Sequence, residues 1–220
     1  MQMGKEPRLE FPGSKSFAFT ILDDTDDSTL ANVQPVYDLL SDLGLRSTKT
    51  VWPVPCPEGN KLFFAGATMA DGPYRAYVTE LAARGFEITW HCATMGSSTR
   101  ERTEAGLEAF RDQLGHYPSV HCNHGGNAEN IYWGMNRYRS AGLRHLLAIK
   151  SRISGQRFHG EDPQSPYFWG DLCKRHFRYV RNFTFKSINT LRCDPETPYS
   201  LDNTPWVNLW FSTSDRGGRG

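Results

Sequence analysis

Phe17-Ala18-Phe19-Thr20-Ile21-Leu22 is a nearly continuous apolar run that stops at Asp23-Asp24. A strand buried on both faces has that texture. Leu30, Val33, Tyr37 and Leu40 then recur at helical spacing until Gly44. The alternation repeats along the chain. Ser47 to Val54 is rich in β-branched residues and closed by prolines, which predicts a second strand. Tyr74, Tyr77, Val78 and Leu81 predict a second helix, with Gly85 at its C-terminal end. Phe86 to Trp90 predicts a third strand that delivers His91. Ser98 and Glu101 fit a capping box ahead of a helix through Leu107, Phe110 and Leu114, stopped by Gly115. Tyr117 to Asn123 predicts a fourth strand, followed by His124-Gly125-Gly126.

Between these elements, Pro55 to Gly72 reads as an irregular insertion. Ile131 to Lys150 reads as largely helical with a break near Gly134, and Ser151 to Gly170 as a long loop. A short helix at Asp171–His176 and strands near Phe177–Val180 and Trp206–Phe211 follow, before glycines close the chain. Strands alternating with helices predict an α/β fold with a mainly parallel sheet. At 220 residues the chain suits one domain, residues 1–220, rather than two.

Composition narrows the function classes. With 38% hydrophobic and 22% charged residues, the chain is not a mainly disordered polymer. A formal net charge of +1 gives no electrostatic case for a nucleic-acid or anionic-membrane partner. No apolar stretch approaches the length of a membrane span, and Met1 to Pro12 is too polar for a signal peptide. The five cysteines are odd in number and widely separated, and none form a Cys-x-x-Cys pair. They read as thiols of a cytoplasmic protein, with Cys92 and Cys122 as small buried hydrophobes.

In a βα barrel or open α/β sheet, residues at the C-terminal strand ends gather on one rim. Here the first strand ends in Asp23-Asp24, the third in His91, and the fourth in His121-x-x-His124. One carboxylate with two imidazoles suits Zn²⁺ and leaves positions open for water. A second carboxylate beside the ion can take a proton as general base. Asp23 and Asp24 can divide these roles where the strand unwinds into the turn-like Thr25-Asp26-Asp27.

Phe19-Thr20-Ile21-Leu22-Asp23-Asp24-Thr25, "LAARGFEITWH" and "SVHCNHG" resemble, in order and spacing, three motifs of the polysaccharide-deacetylase (NodB-homology) superfamily. The likeness covers residues 17 to about 126, and the tail looks like a divergent branch found with O-antigen and other surface-polysaccharide genes. The resemblance implies a distorted (β/α) barrel, incomplete at its C-terminus, and metal-dependent removal of N- or O-linked acetyl groups from a carbohydrate. It makes Asp23 the general base, Asp24 a metal ligand and His91 the first histidine ligand. The family's second histidine falls on Met95, so the remaining ligand is expected from His121 or His124, preferably His124. His121 stands where the family has the arginine that orients the base. The family's late general-acid histidine has no counterpart, with His159 as a substitute. Asn123 and Trp133 are candidate substrate contacts, Trp133 as an aromatic platform for a sugar ring.

The leading expectation is a metal-dependent carbohydrate deacetylase using a divalent ion, Zn²⁺ first. Its rival is a catalytically degenerate carbohydrate-binding or scaffold protein that keeps the barrel, favoured by Met95 and the missing histidine. A glycoside hydrolase ranks last, because its two carboxylates stand about 5 to 9.5 Å apart and sequence neighbours do not.

Overall fold

Among the described residues, six strands run parallel in one sheet whose spatial order is the chain order, β1 to β6, and the sheet curls into a half-barrel. They are β1 (Leu22–Asp23), β2 (Thr48–Val51), β3 (Glu87–Trp90), β4 (Val120–His121), β5 (Tyr179–Phe185) and β6 (Leu209–Ser214). The helices are α1 (Leu30–Asp42), α2 (Gly72–Ala83), α3 (Arg100–Leu114), α4 (Ala141–Ser154), α5 (Gly170–His176) and α6 (Thr190–Cys193). The computed structural model describes residues 11–57, 66–135, 137–154 and 158–215. Most of the polar N-terminal segment, the middle of the Pro55–Gly72 insertion and the closing glycines lie outside the described residues.

Local chemistry explains where the helices start. Thr29 caps α1 in a reciprocal capping box with Asn32. Asp71 caps α2 by accepting the Tyr74 amide at 3.0 Å, and that helix buries Tyr74, Tyr77, Val78 and Leu81. The box expected at Ser98 and Glu101 does not form. The cap of α3 is Thr99, and the Ser98 hydroxyl turns toward Thr94 and the Gly96 carbonyl instead.

Two further expectations change. The first strand is not buried on both faces: β1 is an edge strand, and Phe17 and Phe19 before it are 72% and 75% exposed. Phe17 and Phe19 lie ahead of the paired residues Leu22 and Asp23, so the sheet does not orient them inward. The helix expected from Ile131 begins only at Ala141. Side chains compete for the backbone there: Asn123 binds both the amide and the carbonyl of Ile131, at 3.0 and 3.1 Å. Tyr132 and Gly134 also take positive φ, at 49° and 87°. The loop predicted from Ser151 is shorter, because α4 runs on to Ser154. Gly160 fits that loop against the chain at Glu129, where a Cβ would stand 2.1 Å from the Glu129 carbonyl oxygen.

Strand register sets which side chains share a face. Val51, Trp90, His121, Val180 and Trp210 fall in one row across the sheet. Apart from His121 they belong to the hydrophobic core, together with Trp169 and Phe177. The next residue along each strand points to the opposite face. There the chain presents Asp24, Trp52, His91 and Arg181.

Candidate metal centre

Among the described residues, one group of side chains has the donors and spacing for an ion: Asp26, His91 and His124, with one donor atom from each within 4.8 Å of the others. All three lie just past the C-terminal ends of β1, β3 and β4. Asp26 Oδ1 stands 3.4 Å from His124 Nε2 and 3.7 Å from His91 Nε2. Those separations are looser than a charge-assisted hydrogen bond. They match donors sharing one tetrahedral ion with bonds near 2.1 Å, which sit about 3.4 Å apart. The donor set, two imidazoles and one carboxylate, is the kind that suits a borderline divalent ion.

Each ligand candidate is held from behind. The His91 ring donates from Nδ1 to the Cys122 carbonyl at 2.9 Å, which turns Nε2 toward Asp26. The His91 carbonyl accepts from the Trp52 indole at 2.9 Å. The two imidazoles meet edge to face, with centroids 5.1 Å apart. Asp26 sits in a turn closed by the Ser28 amide on the Thr25 carbonyl, and Asp27 takes the left-handed φ of 58° beside it. Cys92, directly after His91, also has a positive φ of 67°, and its sulfur accepts the His124 amide.

The electrostatics divide the group. Burial pulls both imidazoles toward the neutral form, and His91 stays below its ordinary range. At His124 the neighbouring Asp26 carboxylate outweighs burial and the net shift is upward. Burial pulls the Asp26 carboxyl up, but His124, His91 and Arg181 outweigh it and hold it below the usual carboxylate range.

Asp24 stands beside this group rather than in it. Both its oxygens accept from Arg181, each at 2.7 Å, in a bidentate pair. Burial pulls the Asp24 carboxyl up, yet His91 and Arg181 hold it ionised below its ordinary range. Its side chain is 34% exposed, so the pair is open to solvent on one side.

The other sequence candidates have different partners. Asp23 points to the core face, where Oδ2 accepts from Lys49 at 2.9 Å and from Tyr37 at 3.0 Å. His121 shares the row of Trp90 and is packed against Trp169 and Phe177. Its Nδ1 accepts from the Trp90 indole at 2.9 Å and its Nε2 meets Asn123 Oδ1 at 2.9 Å, so both ring nitrogens are used. Burial drops its pKa to about 3. Strand alternation explains why it does not join His91. The Asn123 amide is committed to His121 and to the Ile131 backbone. Trp133 carries the Arg137 guanidinium 4.8 Å from its ring centre. Met95 is buried, and His159 stacks near Tyr167, with ring centres 6.5 Å apart.

Two residues of the site were not singled out in the sequence. Asp26 gave no local signal, because it lies in the turn after β1 rather than on the strand. Arg181 had one, as a charged residue inside the otherwise neutral strand Tyr179–Phe185.

Together these features define an α/β half-barrel with a candidate metal centre on its C-terminal rim. No protein-family model and no curated protein matches the sequence. Among solved structures the chain is similar to a Streptococcus pyogenes deacetylase, PplD, in complex with acetate, at 13% identity and a TM-score of 0.36. That match covers 60% of this chain and 51% of that chain, about half its length.

Proposed function

We propose that this chain is a metal-dependent hydrolase that removes acetyl groups from a carbohydrate. The observation that carries the reading is the convergence of Asp26, His91 and His124 within 4.8 Å, beside the Arg181-bound Asp24. The sequence motifs that resemble polysaccharide deacetylases supply the substrate class, and surface-polysaccharide metabolism is the setting they suggest. A bound divalent ion, Zn²⁺ on this donor set, would polarise an acyl carbonyl and acidify a water.

The chain's own residues have distinct parts in this reading. Asp26, His91 and His124 would hold the ion. Asp24 accepts a proton at a carboxylate oxygen, since each oxygen keeps a lone pair beyond the one given to Arg181. Arg181 keeps Asp24 ionised and fixes its plane. Trp52 and the Cys122 carbonyl keep the His91 ring in place. The cysteines, none of them in a disulfide, support a cytoplasmic location. No helix among the described residues is long and apolar enough to cross a membrane.

A sugar-binding protein without turnover is the second reading, favoured by one observation. Both Asp24 oxygens are engaged by Arg181, and Asp23 is turned to Lys49, so each acid of the Asp23-Asp24 pair already has a cation.

The test measures bound metal and acetate release from N- and O-acetylated oligosaccharides, for the parent chain and Asp26→Asn, His91→Ala and His124→Ala. The hydrolase reading expects one ion per chain, acetate release, and loss of both in each variant. Metal occupancy unchanged in all three variants would remove the site. Metal binding without acetate release would favour the second reading.

A further inference from the structure

Behind His124 lies a buried polar chain that the proposed reaction does not use. His124 Nδ1 is 3.3 Å from Asn127 Oδ1. The other end of that amide, Nδ2, faces acceptors only: the Gly96 carbonyl at 3.2 Å, Glu129 Oε1 at 3.0 Å and the Thr94 carbonyl at 3.5 Å. Glu129 Oε2 accepts the Ser98 amide at 3.0 Å. Asn127 and Glu129 are 0% and 2% exposed, so these groups answer to one another rather than to bulk water.

The donors and acceptors around the Asn127 amide leave one consistent orientation for it. Three acceptors around Nδ2 fix the amide, because the reversed amide would set its oxygen against two carbonyls and a carboxyl. Asn127 therefore offers an oxygen to His124, and the ring answers by donating from Nδ1. That assignment directs the His124 Nε2 lone pair toward Asp26, as the Cys122 carbonyl does for His91. Asn130 holds the same residue through its backbone, donating to the His124 carbonyl at 2.6 Å.

We propose that Asn127, braced by Glu129, is a positioning residue that fixes the proton of His124 on Nδ1 and presents Nε2 to the candidate metal centre. The relay is a neutral amide between an imidazole and a buried carboxyl, where many metal sites place the carboxylate directly on the histidine. Its consequence for metal affinity rests on the reading of Asp26, His91 and His124 as ligands. Its consequence for the tautomer does not.

The experiment reads both in the full chain. Nitrogen-15 imidazole spectra of the metal-free protein, recorded at a pH where the His124 ring is neutral, assign the protonated nitrogen of His91 and His124, and zinc titration gives the dissociation constant. In the parent chain His124 carries its proton on Nδ1. In Asn127→Leu, close in shape but without the acceptor, His124 shifts to a tautomer mixture while His91 is unchanged, and zinc binds about 10–100-fold more weakly. A parent His124 protonated on Nε2 overturns the proposal without any variant, even if Asn127→Leu fails to fold. An unchanged His124 tautomer in Asn127→Leu overturns it as well. If the parent chain binds no zinc, the ligand reading fails, and the spectra still decide the relay.

Discussion

Arg181 on β5 grips both carboxylate oxygens of Asp24 at 2.7 Å, joining residues 157 positions apart in sequence across the open face of the half-barrel. No strand pairing links β1 to β5, so this contact crosses the concavity instead of following the sheet. Arg181→Met keeps the length of the side chain and leaves Asp24 without its partner. Breaking a well-buried pair costs about 3–5 kcal/mol, and the exposure of Asp24 reduces that to about 2 kcal/mol. Urea unfolding of Arg181→Met, Asp24→Asn and the double variant checks this. The double variant is expected to be less destabilised than the sum of the single ones.

Asp23 and Asp26 are expected to separate cleanly. Asp23→Asn strands Lys49, whose side chain is 0% exposed, and is expected to lower stability by about 3 kcal/mol while zinc affinity holds within a few-fold. Asp26→Asn is expected to do the reverse. Paired denaturation and zinc titration of the two variants distinguish these outcomes.

His121 makes stability fall in acid. Its folded pKa of about 3 lies below the ordinary 6.5, so the unfolded chain binds the extra proton between those values. Its contribution is complete above pH 6.5 and is lost as pH falls toward 3. His121→Gln, which can still accept from Trp90, is expected to flatten stability against pH in that window, measured by denaturant midpoints.

Glu129 acts with the opposite sign. Burial raises its pKa from 4.5 to about 7. The stability it contributes is fully present below pH 4.5 and is lost as pH rises through about 7. Glu129→Gln cannot ionise, so its unfolding free energy is expected to lose this downward slope. In the parent chain the two residues partly cancel where their windows overlap.

Gly160→Ala places a Cβ against backbone oxygens at 2.1 and 2.9 Å, and backbone does not yield as a side-chain tip does. A loss of about 2–3 kcal/mol is expected, with weakened zinc binding because the displaced segment, Glu129 and Asn130, braces His124. Thermal unfolding and zinc titration check both parts.

Much of this was legible in the sequence where local physics decides. The helices through Tyr37, Leu81 and Phe110 follow their apolar spacing, and Gly44, Gly85 and Gly115 end them in the left-handed conformation. His91 and His124 were visible as histidines at strand ends. What was not legible depends on register or on long-range partners. Whether His121 or His124 faces His91 turns on strand parity, and His121 falls on the core side with Trp90. Asp26 read as a turn residue because its role appears only when β1, β3 and β4 align. Arg181 comes from a part of the chain beyond the motifs, where spacing carries no sign of Asp24. Phe17 and Phe19 stay exposed ahead of β1 because an apolar run reports hydrophobicity, not where strand pairing begins.

Strand order that follows chain order also orders events during synthesis. Each new strand finds its partner at the growing margin, and the longest closure is the one that pairs His121 of β4 with Val180 of β5. The histidines and Asp26 emerge with the first four strands, and the guanidinium that restrains Asp24 arrives only with the fifth. For that interval the nascent rim carries Asp24 without the guanidinium that later fixes its plane.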